Sequence, residues 1–363
     1  KWCSVFWAFR GEGLEEFPLL QVLPSKLLSQ RGIFLNIYDI AKLAGVSIAT
    51  VSRVINGKEN VSEKTRRKVE RIIEEIGYTP NVFARGLGLG SIQMVGVLCT
   101  TVSDLFYARA VATIESELRT LGYDVILCCT GNDVSEKSRY MQLLLSKRVD
   151  AMILVGSIFQ ERTSNEHIAQ AATQVPVILI NGSLDIPNTY CVFCDEEGAV
   201  YHLVRDLAAV NRRDILYIEN TESYSSLTKW RGFTRGCGDC NISHSPALKL
   251  QVPKDGDAVK EKVLELIDAG VKFNAVVASE DLLALGALKA LQSRGLRVPD
   301  DVAVIGFNDS ILCKCSSPEL SSVDNKVDDM CRRAVAILLE LIQGRKPPTR
   351  TVLTPEFKRR GSF

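Results

Sequence analysis

Apolar residues at Ile37, Ile40, Ala41 and Leu43 recur at helical intervals, and so do Val51, Val54 and Ile55. The pattern predicts two short amphipathic helices joined by Ala44-Gly45-Val46. Gly45 suits a tight turn because it accepts a positive φ, and Ala41 is small enough to let the second helix cross closely. Ser47 stands where the second helix needs an N-cap hydroxyl. Val69, Ile72, Ile73 and Ile76 carry the helical period from Lys64 to Ile76, with Ser62 as N-cap, and close a three-helix module near Tyr78. Thr79-Pro80-Asn81 then breaks the chain, and the stretch from Asn81 to Leu89 has room for one or two more turns.

From Met94 the pattern changes to short, wholly apolar runs alternating with amphipathic ones. Val95 to Leu98, Asp124 to Leu127, Ala151 to Val155 and Val177 to Ile180 read as buried strands. Helices are expected between them at about Arg109 to Leu121, Ser135 to Ser146 and Glu166 to Thr173. Ile215 to Ile218, Ala275 to Ala278 and Val302 to Gly306 repeat the pattern in a second half. Such alternation predicts doubly wound α/β layers, with ligands bound in the crevice at the carboxyl ends of the strands.

The second helix carries Ser47, Thr50, Ser52 and Arg53 on its outer face, polar residues that packing in a small bundle does not explain. They point to a DNA-reading helix-turn-helix. The whole chain of 363 residues has a net charge of only +1, so it is no polybasic nucleic-acid binder. Between Leu35 and Gly90, however, nine Lys/Arg stand against six Asp/Glu, so the segment expected to face DNA is the basic one. The length suggests two or three domains.

Eleven cysteines, including the pairs Cys191/Cys194, Cys237/Cys240 and Cys313/Cys315, raise a zinc or redox reading. The first pair flanks a β-type Val-Phe dipeptide where a zinc knuckle needs a turn, and the three histidines are scattered. Buried thiols in a reducing cytoplasm are the expectation, with no metal and no cofactor. No run of eighteen apolar residues occurs, and 1–34 lack the continuous apolar core of a signal peptide. The first methionine is Met94, beyond the whole helix-turn-helix. Leu35 is therefore expected to be a non-AUG start written as leucine, with 1–34 an upstream extension.

An ordered set of motifs runs through the chain. Tyr38-Asp39-Ile40-Ala41, Ala44-Gly45-Val46-Ser47, Thr50-Val51-Ser52-Arg53-Val54 and Asn56 come first. Val61-Ser62, Thr65-Arg66, Tyr78-Thr79-Pro80-Asn81, Ala84-Arg85 and Leu87 follow, then Asp281-Leu282-Leu283-Ala284-Leu285-Gly286-Ala287 and Val304-Ile305-Gly306-Phe307. On these residues the chain resembles the lactose-repressor/galactose-repressor family of bacterial transcription regulators over 36–363. The resemblance implies a small all-α helix-turn-helix DNA-binding domain at 35–80 and a hinge helix or linker at 81–92. A two-subdomain α/β periplasmic-binding-protein-like domain for effector binding and dimerisation would then fill 93–363. Its N-subdomain would combine about 93–193 with 324–346, and its C-subdomain about 194–323 with 347–363. Operator DNA, a small carbohydrate-like effector and a second copy in a homodimer are the implied partners. No heptad helix follows Phe357, which favours a dimer over a tetramer.

By position in the family motif, Ile48 and Ala49 are the main specificity-setting side chains, limited to apolar contacts such as thymine methyl groups. Arg53 is placed to contact guanine O6 and N7. Tyr38, Ser47, Thr50, Ser52, Asn56, Asn60, Ser62, Thr65 and Asn81 are expected at phosphates, where they fix register. Ala84 and Leu87 belong to the hinge, with Leu87 as a minor-groove wedge. Gly86, Gly88 and Gly90 surround it, and each internal glycine costs a helix about 1 kcal/mol relative to alanine.

For the effector, the resemblance implies Asp104 as a polar anchor, Phe106 and Tyr107 as stacking walls, and Lys229, Glu280, Asp281 and Asn308 in the pocket. Three of these depart from the family: Lys229 replaces an arginine clamp, Glu280 an asparagine and Asn308 an aspartate. No aromatic ring is supplied between Asn241 and Lys272, where some members have one. A solute-binding protein shares the two-lobed body but has no DNA module. An enzyme is disfavoured because no Gly-x-Ser-x-Gly, P-loop or metal-binding histidine pair occurs, and Asp195-Glu196-Glu197 reads as solvated charge at a helix start.

Overall fold

The computed structural model describes residues 36–55, 57–78, 92–220, 223–243 and 245–363. The expectations for 1–34, Leu35, Asn56, Asn81, Ala84 and Leu87 lie outside the described residues. The chain divides into two compact units at Ile92/Gln93.

The first unit contains α1 (Ile37–Ala44), α2 (Ile48–Ile55) and α3 (Glu63–Ile76). Asn36 and Asp39 form a reciprocal capping box at the start of α1, and Gly45 ends the helix in the left-handed region at φ 63°. Ile40, Ala41, Ala44, Val51, Val54 and Val69 make the buried core, which Ile72, Ile73 and Tyr78 flank. Leu43 corrects the reading of the apolar face: it is half exposed, on the solvent side of α1.

The second unit holds two six-stranded sheets. The first contains β1 (Met94–Cys99), β2 (Asp124–Cys129), β3 (Ala151–Val155), β4 (Val177–Ile180), β5 (Thr189–Cys194) and β11 (Arg350–Leu353), in the order β11-β5-β4-β3-β1-β2. All its pairings are parallel. It is packed by α4 (Leu105–Thr120), α5 (Val134–Ser146), α6 (Glu166–Ala172) and α12 (Val327–Ile342). The second sheet contains β6 (Ile215–Glu219), β7 (Lys249–Gln251), β8 (Ala275–Ala278), β9 (Ala303–Phe307), β10 (Ser321–Asp324) and β12 (Glu356–Lys358). Its order is β12-β10-β9-β8-β6-β7, with only β12 antiparallel. Here α7 (Glu196–Ala209) and α8 (Tyr224–Asp239) cover one face, α9 (Gly256–Asp268) and α10 (Asp281–Ser293) the other, and α11 (Leu312–Cys315) is a single turn.

The chain therefore crosses between lobes three times: after β5, after β10 and after β11. The last crossing corrects the expected boundary, because 350–353 belongs to the first sheet. The open edge of β5 needs backbone partners, and β11 supplies them: the Cys191 amide donates to the Thr349 carbonyl at 2.8 Å and the Asp195 amide to the Leu353 carbonyl at 3.0 Å. No helix among the described residues is long and apolar enough to cross a membrane.

Close helix packing explains the Leu285-Gly286-Ala287 motif. A Cβ on Gly286 would lie 2.5 Å from the Gly256 carbonyl oxygen and 2.8 Å from Val259 Cβ, so α9 approaches α10 only over a hydrogen atom. The Gly286→Ala substitution is expected to destabilise the second unit by about 1 to 3 kcal/mol through overpacking. Denaturant unfolding measures this, and an unchanged midpoint would contradict the steric account.

Candidate nucleic-acid interface and interlobe cleft

On the first unit, the residues that do not enter the core gather around α2. Ser47 caps that helix as expected: its Oγ accepts from the Thr50 amide at 3.1 Å and pairs with the Thr50 hydroxyl at 2.9 Å. Ser62 makes the same arrangement with Thr65 at the start of α3, at 3.3 and 2.9 Å. Ile48 is 40% exposed although it is apolar, and Ala49 and Arg53 are exposed beside it. Tyr38 is 66% exposed on α1, Asn60 is exposed, and Ser52 is half buried. The Arg66 guanidinium donates to the Lys58 carbonyl at 2.6 Å and pins the loop that carries Asn60. Tyr38, Ile48, Ala49 and Arg53 are thus free of the core and open to solvent.

On the second unit, the carboxyl ends of both sheets open on one cleft. Asp104 caps α4, its Oδ1 accepting from the Phe106 amide at 2.8 Å and the Tyr107 amide at 3.4 Å. Its other oxygen pairs with Lys254 Nζ, which also pairs with Glu280. Asp104 and Glu280 stand on opposite lobes, so one ammonium bridges the cleft. Burial works against the Lys254 charge, but Glu280 and Asp104 together outweigh it and hold the ammonium above the ordinary lysine range.

This ion triplet stands between two chambers. The inner one, about 350 Å³, is lined among others by Thr100, Asn132, Ser157, Asn181, Ser223 and Ser225, with Phe106 and Tyr107 as its rings. The outer one, about 390 Å³, has Leu105, Leu282, Leu312 and Val327 in its wall. Phe106 meets Tyr107 edge to face at 5.4 Å, and Tyr107 lies over Gly156, where a Cβ would fall 2.6 Å from the ring. Gly156 also adopts φ 107°, so glycine is required twice over.

Of the expected effector residues, Asp104, Phe106, Tyr107, Lys229, Glu280 and Asn308 all line the inner chamber. Asp281 lines only the outer one, and both of its oxygens are taken: Oδ1 accepts from Ser322 Oγ and Oδ2 from the Ser310 amide, each at 2.6 Å. Asp281 is thus corrected from ligand anchor to scaffold, tying α10 to the loop after β9 and to β10. Burial pushes its carboxyl up, against those hydrogen bonds. Asn308 sits at φ 101° and accepts from Asn325 Nδ2 at 2.9 Å.

Lys229 is spent on the wall. Its Nζ donates to the Ser279 carbonyl at 3.0 Å, lies 3.9 Å from the Phe307 ring centre, and faces Glu196 Oε1 at 3.7 Å. Glu196 overturns the solvated-charge reading of its tripeptide: it is 3% exposed and takes hydrogen bonds from Ser225 at 2.5 Å and Asn181 at 3.3 Å. Asp195, by contrast, caps α7 through the Gly198 amide, and Glu197 pairs with Arg231 and Arg235. Lys254 had no signal in the sequence beyond being the cation of a Pro253-Lys254-Asp255-Gly256 loop.

The cysteine pairs do not converge. Cys191 and Cys194, three apart on β5, face opposite cores of the first lobe. Among the described residues no group of three or more His, Cys, Asp or Glu is arranged around a metal site. Burial, with Cys129 opposite at 4.0 Å, pushes the Cys99 thiol up to about 12.

Two family profiles match the chain: bacterial regulatory proteins of the lacI family over 36–81, and a periplasmic binding protein-like domain over 204–363. A helix-turn-helix transcriptional regulator of Lachnoclostridium phytofermentans is 45% identical over 322 residues, covering 88% of this chain and 97% of the relative. The regulator DegA of Bacillus subtilis is 30% identical, covering 81% and 87%. Among solved structures, the lac repressor dimer bound to operator and the anti-inducer ONPF superimposes with TM-score 0.80 at 25% identity, covering 90% of this chain and 98% of that one. A complex of the regulator CelR with cellobiose gives 0.66 at 28%, covering 91% and 100%.

Removing one partner of a buried ion pair leaves the other charge uncompensated. Glu196→Gln is expected to cost about 3 kcal/mol in unfolding free energy, and Lys229→Met added to it is expected to recover part of that loss. Equal midpoints for Glu196→Gln and the parent protein in urea would show that the pair carries no such coupling.

Proposed function

The chain belongs to the lacI family of bacterial regulatory proteins and is a helix-turn-helix transcriptional regulator, and we propose that it represses as a homodimer on a pseudopalindromic operator, released by a neutral carbohydrate-like effector. The observation that carries this reading is the union, in one chain, of a lacI-type reader with a two-lobed cleft of hydroxyl- and amide-rich lining. In the proposed complex α2 enters the major groove, with Ile48 and Ala49 at thymine methyls and Arg53 at guanine. Tyr38, Thr50, Ser52, Asn60 and Thr65 take phosphates, and Ser47 and Ser62 contribute mainly through their caps. In this reading 81–92 serves as the hinge that includes Ala84, with Leu87 as the minor-groove wedge and Asn81 at a phosphate.

Charge argues for a neutral effector. Asp104 and Glu280 outnumber Lys254, while Glu196 and Lys229 cancel, so the cleft is net negative. A phosphorylated ligand would meet two carboxylates that already share the available ammonium. Hydroxyls and amides suit a polyol, which the rings can cover on one face. A solute-binding role without DNA leaves the exposed face of α2 unexplained, and the relatives are named as regulators, not as enzymes.

Gel shifts on the region upstream of the chain's own gene test the reading. Site-specific binding should weaken steeply with salt, since phosphate contacts release counterions. Arg53→Ala should cost about 1 to 3 kcal/mol and relax preference at one base pair per half-site, and an unaltered preference would remove it from base readout. In thermal-shift screening, glucose or cellobiose is expected to raise the melting temperature while glucose 6-phosphate does not. Stabilisation by the phosphate ester alone would overturn the neutral-effector reading.

A further inference from the structure

Ligand-binding clefts between two lobes are ordinarily bridged by what they bind, but here the bridge is part of the chain. Lys254 follows β7 in the second lobe, and its ammonium pairs at once with Glu280 of its own lobe and with Asp104, 150 residues upstream at the start of α4 in the first. Two other ties are weaker: Arg109 of α4 reaches the Asp309 carbonyl at 3.5 Å, while its main partner is Asp328, and Asn181 of the first lobe donates to Glu196 of the second at 3.3 Å. The two carboxylates sharing one nitrogen are like charges converging from opposite lobes. Without a cation between them they repel, so the lobes would part.

We propose that Lys254 is a positioning residue that holds the two lobes of the cleft together by giving one ammonium to a carboxylate from each, Asp104 and Glu280. The inference rests on the reading of this cleft as the effector site and adds what holds its two lobes together. The lysine acts through charge, because its partners are both carboxylates. It also acts through position, because the chambers share Asp104, Lys254, Glu280 and Phe106 in their walls. A ligand seated across both chambers therefore meets the triplet.

The test uses the full chain without DNA or sugar, comparing amide hydrogen exchange in the parent protein, Lys254→Met, Lys254→Arg and the triple variant Asp104→Asn/Lys254→Met/Glu280→Gln. Asparagine at 104 keeps the helix cap, so the triple variant removes charge without removing the cap. Lys254→Met is expected to raise exchange of the segments 103–109 and 279–284 about tenfold, with the β8 core unchanged. The arginine variant is expected to return both segments close to the parent rate, and the triple variant to fall between Lys254→Met and the parent, because it removes the repulsion together with the tie. Unchanged exchange in Lys254→Met would overturn the proposal. So would a triple variant that exchanges as fast as Lys254→Met, since lost packing and not uncompensated charge would then be the cause. Operator gel shifts on the parent protein fail or succeed independently, which separates this inference from the function it rests on.

Discussion

Two parallel sheets that face one another with their carboxyl ends create a constraint on everything between them: polar groups there must find partners across the gap. Strand ends and helix starts converge on the cleft, and each brings carboxylates and amides that water can no longer fully reach. The chain answers in two ways. Within a wall it pairs charges locally, as Glu196 does with Lys229 and Ser225, while Asn181 of the first lobe adds a hydrogen bond to Glu196 from across the gap. Across the gap it uses one lysine for two carboxylates. The triple crossing of the chain makes this arrangement possible, because β11 and α12 return to the first lobe and keep both walls in register. Asp281, tied to Ser310 and Ser322, fixes the second wall from behind.

The DNA-reading unit obeys the opposite rule. Among the described residues its core is six buried apolar side chains holding three short helices. Capping therefore matters more per residue than in the body: Asn36 with Asp39, Ser47 with Thr50 and Ser62 with Thr65 each satisfy amides that three short helices would leave bare. The same hydroxyls are thus partly committed before any phosphate arrives. Ile48 and Ala49 contribute nothing to that core and stay exposed.

Local features were legible from the sequence and remote ones were not. The positions of α1 and α2, the Gly45 turn and the caps at Ser47 and Ser62 follow from spacing, since each depends on neighbours within a few residues. Leu43 obeyed the helical period but faces solvent, because an eight-residue helix packs only one narrow stripe. The edge strands β11 and β12 are too short to carry a periodic signal, and pairing with distant strands alone defines them. Glu196 looked like its neighbours Asp195 and Glu197, and only the turn of α7 sends it inward. Lys254 was invisible for the strongest reason: both of its partners are set by tertiary fold, and a lone lysine in a loop is ordinarily solvated.

A cleft whose lobes are tied by one lysine changes what an effector has to do. A ligand shifts a two-state equilibrium only by its differential affinity for the two states, so one that merely fills an already closed cleft leaves operator affinity where it was. To act, an effector must favour an arrangement in which Asp104 and Glu280 no longer share Lys254. Hydroxyl groups can do this by hydrogen bonding to the freed carboxylates and amide walls, at little electrostatic cost. An anion does so at a greater cost, because drawing Lys254 to itself leaves Asp104 and Glu280 uncompensated beside a third negative charge. In the proposed mechanism the identity of these three charged residues decides which ligands can part the lobes.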